Sequence, residues 1–186
     1  MQIFGESALS RFDRDVMSVP NVGWIVVLEG INDLGMGAAN PPSAETMING
    51  YKQIIARAHA KGINVLLDYA MNHVHIEAPV YAQHKDWFWP LDDGSVSNCV
   101  CGQGCSWDDS YQQKRCWFAD YLPDFNFTVD AARKYSVDNA ITWIKDTGID
   151  GFRLDAVKHI ETSWISDLRS RVKAEIEPTH MGNHFY

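Results

Sequence analysis

Two kinds of hydrophobic pattern alternate along the chain and divide it into helices and strands. Four segments space their apolar residues like a helix with one buried face, and three are short apolar runs typical of buried parallel strands. The predicted helices are residues 7–18, 41–62, 129–148 and 163–178, and the predicted strands are residues 22–30, 63–73 and 149–157. Because helices and strands alternate, the pattern predicts an α/β fold with a parallel sheet built from βα units.

Residues at the helix ends support these boundaries. Ser43 stands where an N-cap belongs, and Gly62 and Gly148 follow the second and third helices, where glycine ends a helix most easily. Pro178 stops the last helix. The helices are therefore expected to begin and end close to these four residues.

Residues 74–128 show no clear period and are rich in Trp, Asp, Gly and Cys, so we expect an irregular loop subdomain there. The four cysteines of the chain all lie in it, at Cys99, Cys101, Cys105 and Cys116. Two disulfides are the first interpretation, with the pairing open except that a Cys99–Cys101 bridge would be strained. A Zn²⁺ site is an alternative, although the spacing departs from the usual paired knuckles, and free thiols are a third.

Polar residues gather where the predicted strands end. Asn32 and Asp33 follow the first strand, residues 68–73 close the second, and residues 153–159 close the third. In open parallel sheets, ligands bind outside the carboxyl ends of the strands. We therefore expect the functional site at this edge.

Composition narrows the range of partners. The chain has 186 residues, 46% of them hydrophobic, which suits a single domain with one long inserted segment. The net charge of −8, without a basic stripe, argues against a nucleic-acid partner. The sequence contains no run of about 18 apolar residues, so we expect no membrane span. The first ten residues do not have the composition of a signal peptide.

Three motifs occur in order along the second part of the chain: DYAMNH at 68–73, LPDFN at 122–126 and GFRLDAVKH at 151–159. Through these motifs, residues 63–186 resemble the α-amylase superfamily of glycoside hydrolases. It implies the third and fourth strands of a TIM barrel together with the loop domain between them. A complete barrel takes about 250 residues, so the resemblance implies a partial barrel.

The resemblance assigns roles to individual residues. It implies that Asp155 is the nucleophile and that Arg153, two residues away on the same face of the strand, orients it and keeps it ionised. The residues implied to line the sugar subsites are Asp68, His73, Lys158 and His159. A structural Ca²⁺ is implied on Asn72, Asp124 and the backbone carbonyl of His159, which are hard oxygen ligands.

The implied catalytic set is incomplete. A retaining glycosidase pairs its nucleophile with an acid carboxyl about 5 Å away. In this superfamily the acid is a Glu on the next strand, in a pattern like F-x-x-G-E, and this chain ends at Tyr186 without it. We therefore expect absent or very weak hydrolysis, unless Glu161 or Glu175 has taken over the role of the acid.

The first part of the chain carries the block GIND at 30–33, followed by the helical pattern of residues 41–63. Through these features, residues 1–62 resemble GDSL-type (SGNH) esterases, whose fold is a flavodoxin-like sandwich. GIND matches the G-x-N-D block of that family, which implies that Asn32 is an oxyanion-hole donor. The nucleophilic Ser and the base of such an esterase are not found. A hybrid with a seam within residues 57–65 is the first interpretation, and a divergent natural barrel is the alternative.

Three functions follow as hypotheses. The first is an α-amylase-like site for an α-glucan or oligosaccharide, the second is a non-catalytic chimera or fragment, and the third is a GDSL-type ester hydrolase. A sheet of few strands leaves apolar edges, so we expect self-association. The cysteine content indicates that an amylase parent of the chain was exported.

Overall fold

The computed structural model describes residues 5–35, 41–91, 98–179 and 185–186. Six α-helices lie in these ranges: α1 Ala8–Phe12, α2 Ile31–Gly35, α3 Ala44–His59, α4 Pro79–Gln83, α5 Asp130–Thr147 and α6 Thr162–Glu175. Five strands accompany them: β1 Trp24–Val27, β2 Asn64–Tyr69, β3 Val100–Cys101, β4 Gly104–Cys105 and β5 Gly151–Leu154. The predicted α/β fold is confirmed, and helix α1 continues as a π-helical turn over Asp13–Met17.

The described chain forms two compact units. The first comprises the described residues of Met1–Asp68, Trp143–Arg153 and His184–Tyr186, and the second those of Tyr69–Thr142 and Leu154–Asn183. Among the described helices, none has the length and apolar character that crossing a bilayer requires.

The main sheet has the strand order β1-β2-β5, and β1 runs parallel to β2 with Val26 opposite Leu66. Helix α3 connects these two strands, as the crossover of a βα unit should. Its start is capped as predicted, because the Ser43 side chain accepts a hydrogen bond from the Thr46 N–H at 3.2 Å. Ile54, Ile55 and Ala58 on α3 are buried.

Strand β1 departs from the prediction of a buried strand. Trp24 and Val26 are exposed, and Leu28 just beyond the strand is 67% exposed. These residues alternate, so they share one face, and β1 is an edge strand among the described residues. The continuous apolar run arises because both faces of β1 carry apolar side chains, while only one face is covered by described residues.

Tyr186 continues the sheet beyond β5. The Tyr186 N–H donates to the Asp150 carbonyl at 3.0 Å, and the Phe152 N–H donates to the Tyr186 carbonyl at 2.8 Å. Bonds to residues on either side of Gly151 are the pattern of a parallel pair. Gly151 permits this approach, because a Cβ there would lie 2.1 Å from the Tyr186 carbonyl oxygen.

The second unit has a core built from aromatic and aliphatic side chains of α6 and the segments it contacts. Trp164 and Phe127 are fully buried, with ring centroids 6.1 Å apart. The Trp164 indole N–H donates to the Ser136 hydroxyl at 2.9 Å, so the buried ring leaves no unpaired donor. Helix α6 is thereby fixed against α5.

Two disulfides staple the irregular loop, as the first interpretation predicted. They join Cys99 to Cys105 and Cys101 to Cys116. No cysteine is free, so the alternatives of a Zn²⁺ site and of free thiols are wrong for this structure. The bridges form a small buried core of their own, and Phe118 packs against it. Residues 92–97 of the predicted loop subdomain lie outside the described residues.

Candidate active site

Asp155 lies where β5 ends and the chain turns sharply. Its backbone N–H donates to the Tyr69 carbonyl at 3.0 Å, which fixes it beside the end of β2. The next residue, Ala156, has a left-handed backbone with φ of 54°, which is uncommon for a residue other than glycine. A 3₁₀ turn, Val157–His159, follows directly. Backbone strain of this kind is often found beside functional residues.

Asp68 and Arg153 form an ion pair in the first unit. The Arg153 Nη1 atom lies 2.9 Å and 3.2 Å from the two carboxylate oxygens of Asp68. Asp68 is almost fully buried, at 8% side-chain exposure, whereas Arg153 is 50% exposed. A buried carboxylate requires such a partner to remain charged.

Two histidines of the second unit lie close to Asp155. Burial lowers the pKa of His73, and the nearby Asp155 carboxylate opposes this shift. Burial likewise lowers the pKa of His159, and Asp155 is again among the opposing charges. Both rings are therefore neutral at neutral pH. The His159 Nδ1 atom lies 2.7 Å from the Gln113 carbonyl and must be the donor there, which leaves Nε2 as an acceptor.

Phe118 links these two histidines, and the sequence analysis did not identify it. Its ring centroid lies 5.1 Å from His73 and 4.8 Å from His159. Trp107 extends the same aromatic cluster, 5.1 Å from Phe118 and 5.6 Å from His159. We call Phe118 and Trp107 the aromatic wall. The sequence signal for it was the richness of the irregular segment 74–128 in Trp, which does not single out either residue.

Asn72 and Asp124 form a buried polar pair. The segment that follows β2 pairs with the LPDFN segment. The Phe125 N–H donates to the Asn72 carbonyl at 2.9 Å, and the backbones of His73 and Asp124 form an isolated antiparallel β-bridge. Both side chains are fully buried. Neither the Asn72 amide nor the Asp124 carboxylate has a hydrogen-bond partner of normal geometry within the described part of the chain.

An uncompensated buried carboxylate is costly, and its pKa reflects this. Burial raises the pKa of Asp124 well above its ordinary value, the Glu161 carboxylate adds to the shift, and Asn72 opposes it. Buried oxygens without partners are what a hard cation would bind, so the donor set fits Ca²⁺. Among the described residues there is no group of three or more His, Cys, Asp or Glu side chains that could hold a metal ion. The expected Ca²⁺ site is of a different kind, because Asp124 is the only such side chain among its expected ligands.

Glu161 lies between the buried pair and helix α6. It occupies the N-cap position of α6, and its Oε2 atom accepts a hydrogen bond from the Phe127 N–H at 3.2 Å. Burial raises the pKa of its carboxyl, and the backbone N–H groups of Glu161 and Phe127 oppose the shift. The structure thus gives Glu161 a local structural role beside Asp124.

Lys158 points to the stapled loop, and Asn32 lies elsewhere. The Lys158 ammonium is 3.0 Å from the Asp108 carboxylate in an exposed ion pair. Asn32 is exposed in the first turn of α2, in the first unit. The structure thus brings Asn72, His73, Asp124 and Asp155 together with the turn that carries Lys158 and His159, and it places Asn32 in a separate unit.

Comparison with known proteins agrees with the motifs. Residues 47–183 match the family described as the α-amylase catalytic domain. A cyclomaltodextrinase from Geobacillus thermopakistaniensis is 29% identical over 136 residues, an alignment that covers 66% of this chain and 21% of that enzyme.

Solved structures give the same result. The α-amylase of Geobacillus thermoleovorans, solved in complex with acarbose, matches with a TM-score of 0.57 and 31% sequence identity over 68% of this chain and 26% of that one. An Anoxybacillus α-amylase matches with a TM-score of 0.56 and 29% identity over the same shares. The chain therefore spans about a fifth to a quarter of the length of these relatives.

Proposed function

The chain belongs to the α-amylase catalytic-domain family, and from this premise we propose that it carries the nucleophile and part of the sugar-binding surface of a retaining glycoside hydrolase acting on α-glucans. The observation that carries the proposal is geometric: the Tyr69 carbonyl holds Asp155 at the end of β2, directly before the turn that carries His159, and Phe118 contacts the rings of both His73 and His159. The family match alone does not identify the reacting residue.

The proposed reaction begins at Asp155. One carboxylate oxygen attacks the anomeric carbon of an α-linked glucosyl unit, the bond from that carbon to the leaving oxygen breaks, and the leaving oxygen retains the electron pair and takes a proton from an acid. The product is a glycosyl ester of Asp155, which water hydrolyses in a second step. Neutral His73 and His159 suit hydrogen bonding to the hydroxyl groups of the sugar.

Asp68 and Arg153 belong to the same proposal through their places in the DYAMNH and GFRLDAVKH motifs. We propose that Asp68 orients Arg153 through its two short contacts, and that Arg153, two residues from Asp155 in the chain, orients the nucleophile. Lys158 is proposed to line a sugar subsite, as its place in the GFRLDAVKH motif implies.

The proposed metal centre has a structural task. The family often binds structural calcium, and Asn72, Asp124 and the carbonyl of His159 would hold the ion here. A bound Ca²⁺ supplies positive charge that compensates the buried Asp124 carboxylate. Because His73 follows Asn72 directly, and His159 carries one of the ligands, the ion would also fix both histidines of the site.

The acid is the missing part of the proposal. No residue of this 186-residue chain matches the acid Glu of the family, and Glu161 is engaged with the Phe127 N–H. General acid catalysis is typically worth 10²–10⁴-fold in rate, so we expect the chain by itself to hydrolyse starch weakly or not at all. Starch hydrolysis that is lost in Glu161→Gln would instead identify Glu161 as the acid.

A substrate that needs no acid tests the nucleophile directly. In α-glucosyl fluoride the carbon–fluorine bond breaks and fluoride leaves with the electron pair, so Asp155 alone can form the glycosyl ester. Mass spectrometry of the intact protein after incubation should show one added hexosyl residue, and peptide mapping should place it on Asp155. Asp155→Asn is the matched control. No adduct on the unmodified chain, or an unchanged adduct on Asp155→Asn, would contradict the proposal.

For the domain division we propose an esterase-like piece at 1–62 and a partial amylase-like barrel at 63–186 that includes the 74–128 loop subdomain. The GIND block at 30–33 supports it, whereas the family match begins at residue 47 and so includes residues 47–62 of the esterase-like piece. Because no nucleophilic Ser has been identified to act with Asn32, we expect no hydrolysis of an aryl acetate above background. Ester hydrolysis that Asn32→Ala abolishes would show that the esterase piece is functional.

A further inference from the structure

The disulfide-stapled segment places a second aromatic ring beside the proposed site. We propose that Trp107 is a specificity-determining residue, whose indole ring stacks on a glucose unit adjacent to the one attacked by Asp155. This inference rests on the proposed function, and it adds a binding subsite formed by a residue of the loop outside the three motifs.

The position of Trp107 carries the inference. Its ring meets Phe118 and His159 edge to face, with interplanar angles of 67° and 87°. Phe118 in turn contacts His73, and His159 lies in the 3₁₀ turn that follows Asp155 almost directly. Trp107 therefore lies one ring beyond the residues that surround the nucleophile, which is where a neighbouring sugar unit of an oligosaccharide would be.

The surroundings of Trp107 hold the ring in one place. Gly102 has a left-handed backbone with φ of 76°, and a Cβ there would lie 2.6 Å from the Trp107 Nε1 atom, so the indole packs directly over the glycine backbone. The bridge between Cys101 and Cys116 holds the ends of the segment that contains Trp107. The next residue, Asp108, pairs with Lys158. A ring held in this way loses little conformational entropy when a ligand binds.

The exposure of Trp107 leaves room for a ligand. It is 39% exposed, although its neighbours in the disulfide core are buried. The C–H face of a glucopyranose ring is apolar, and stacking it on an indole removes apolar surface of both from water. Only an oligosaccharide long enough to extend past Asp155 would reach the Trp107 ring. The ring would therefore discriminate between oligosaccharides and smaller polar solutes.

Binding of maltoheptaose and of glucose to the full chain, measured by isothermal titration calorimetry, tests the inference. Trp107→Leu keeps an apolar side chain over Gly102 and removes the flat ring, Trp107→Phe restores a smaller ring, and Tyr135→Ala removes an exposed aromatic of α5 as the control. Maltoheptaose should bind about tenfold more weakly to Trp107→Leu, with part of the loss recovered in Trp107→Phe. Glucose affinity, and both affinities of Tyr135→Ala, should not change.

The outcomes separate this inference from the proposed function. If the unmodified chain binds maltoheptaose and Trp107→Leu binds it equally well, the inference is wrong and the proposed function stands. Equal losses for glucose and maltoheptaose would overturn it too, because they would show a general structural role. If the unmodified chain binds neither sugar, the proposed function fails and this inference fails with it. Near-UV circular dichroism establishes that each variant is folded, and Trp107→Phe decides the case if Trp107→Leu is not.

Discussion

The effect of Asp124→Asn on the melting temperature should depend on Ca²⁺, and its sign should differ between a buffer with the ion and one without it. In a chelator, Asp124→Asn should unfold at the same temperature as the unmodified chain or a higher one, because it removes a fully buried carboxyl group whose charged form is disfavoured by burial and by Glu161. In Ca²⁺ it should unfold at a lower temperature, because it removes a charged ligand.

The magnitude follows from ligand linkage. A Ca²⁺ concentration one hundredfold above Kd stabilises the folded chain by about 2.7 kcal/mol, and for a chain of this size each kcal/mol is worth about 2–4 °C, so the melting temperature should rise by about 5–10 °C. If Asp124→Asn weakens binding one hundredfold, the gain falls to about 0.4 kcal/mol, or about 1 °C.

Differential scanning calorimetry in EDTA and in millimolar CaCl₂ measures both effects. Asp120→Asn makes the same chemical change at an exposed position nearby and should behave like the unmodified chain. An unmodified chain with the same melting temperature in both buffers would show that the proposed metal centre does not form. A loss of stability in Asp124→Asn that is equal in both buffers would show that Asp124 serves the fold through other contacts.

Three further predictions concern the loop, the core and assembly. Replacing Cys101 and Cys116 by Ser opens a loop of 15 residues and should lower the free energy of unfolding by about 3 kcal/mol in urea titrations. Burial raises the pKa of Tyr69, so its contribution to stability is complete below about pH 10 and is lost as pH rises through the folded-state pKa. Tyr69→Phe should flatten that alkaline decline in urea titrations, at a cost of about 1 kcal/mol at pH 8 from the lost hydrogen bond to Asn139. Light scattering should find a dimer or larger species, because β1 exposes apolar side chains such as Leu28 at an edge of the sheet, and a monomer throughout the micromolar range would contradict this.

Local signals in the sequence predicted the regular elements well. Ser43 caps its helix as expected, and Gly148 follows α5 with a φ of 75°, because capping depends on residues only a few positions apart. The two disulfides followed from the crowding of the cysteines, although their pairing did not. The apolar run at 22–30 was misleading, because periodicity reports which residues are apolar and not how many faces of a strand are covered.

The candidate site was less accessible to such reasoning. The motifs indicated Asn72 and Asp124, but their close approach depends on antiparallel pairing between segments some fifty residues apart. Nothing in the local pattern distinguished Phe118 or Trp107 from the other aromatic residues of an irregular segment. Their importance arises from contacts with His73 and His159, which only the folded loop establishes.

The arrangement of the stapled segment has a consequence for how sites of this kind diversify. Both bridges close within residues 99–116, and the segment reaches the proposed site through side chains of the loop itself. Amino-acid changes between the cysteines can therefore alter Trp107 and its neighbours in the aromatic wall, while the nucleophile and its strand keep their backbone. Variation in sugar preference can accumulate there at little risk to folding. For directed evolution, a library randomised at residues 106–113 is a better starting point than one randomised within β2 or β5.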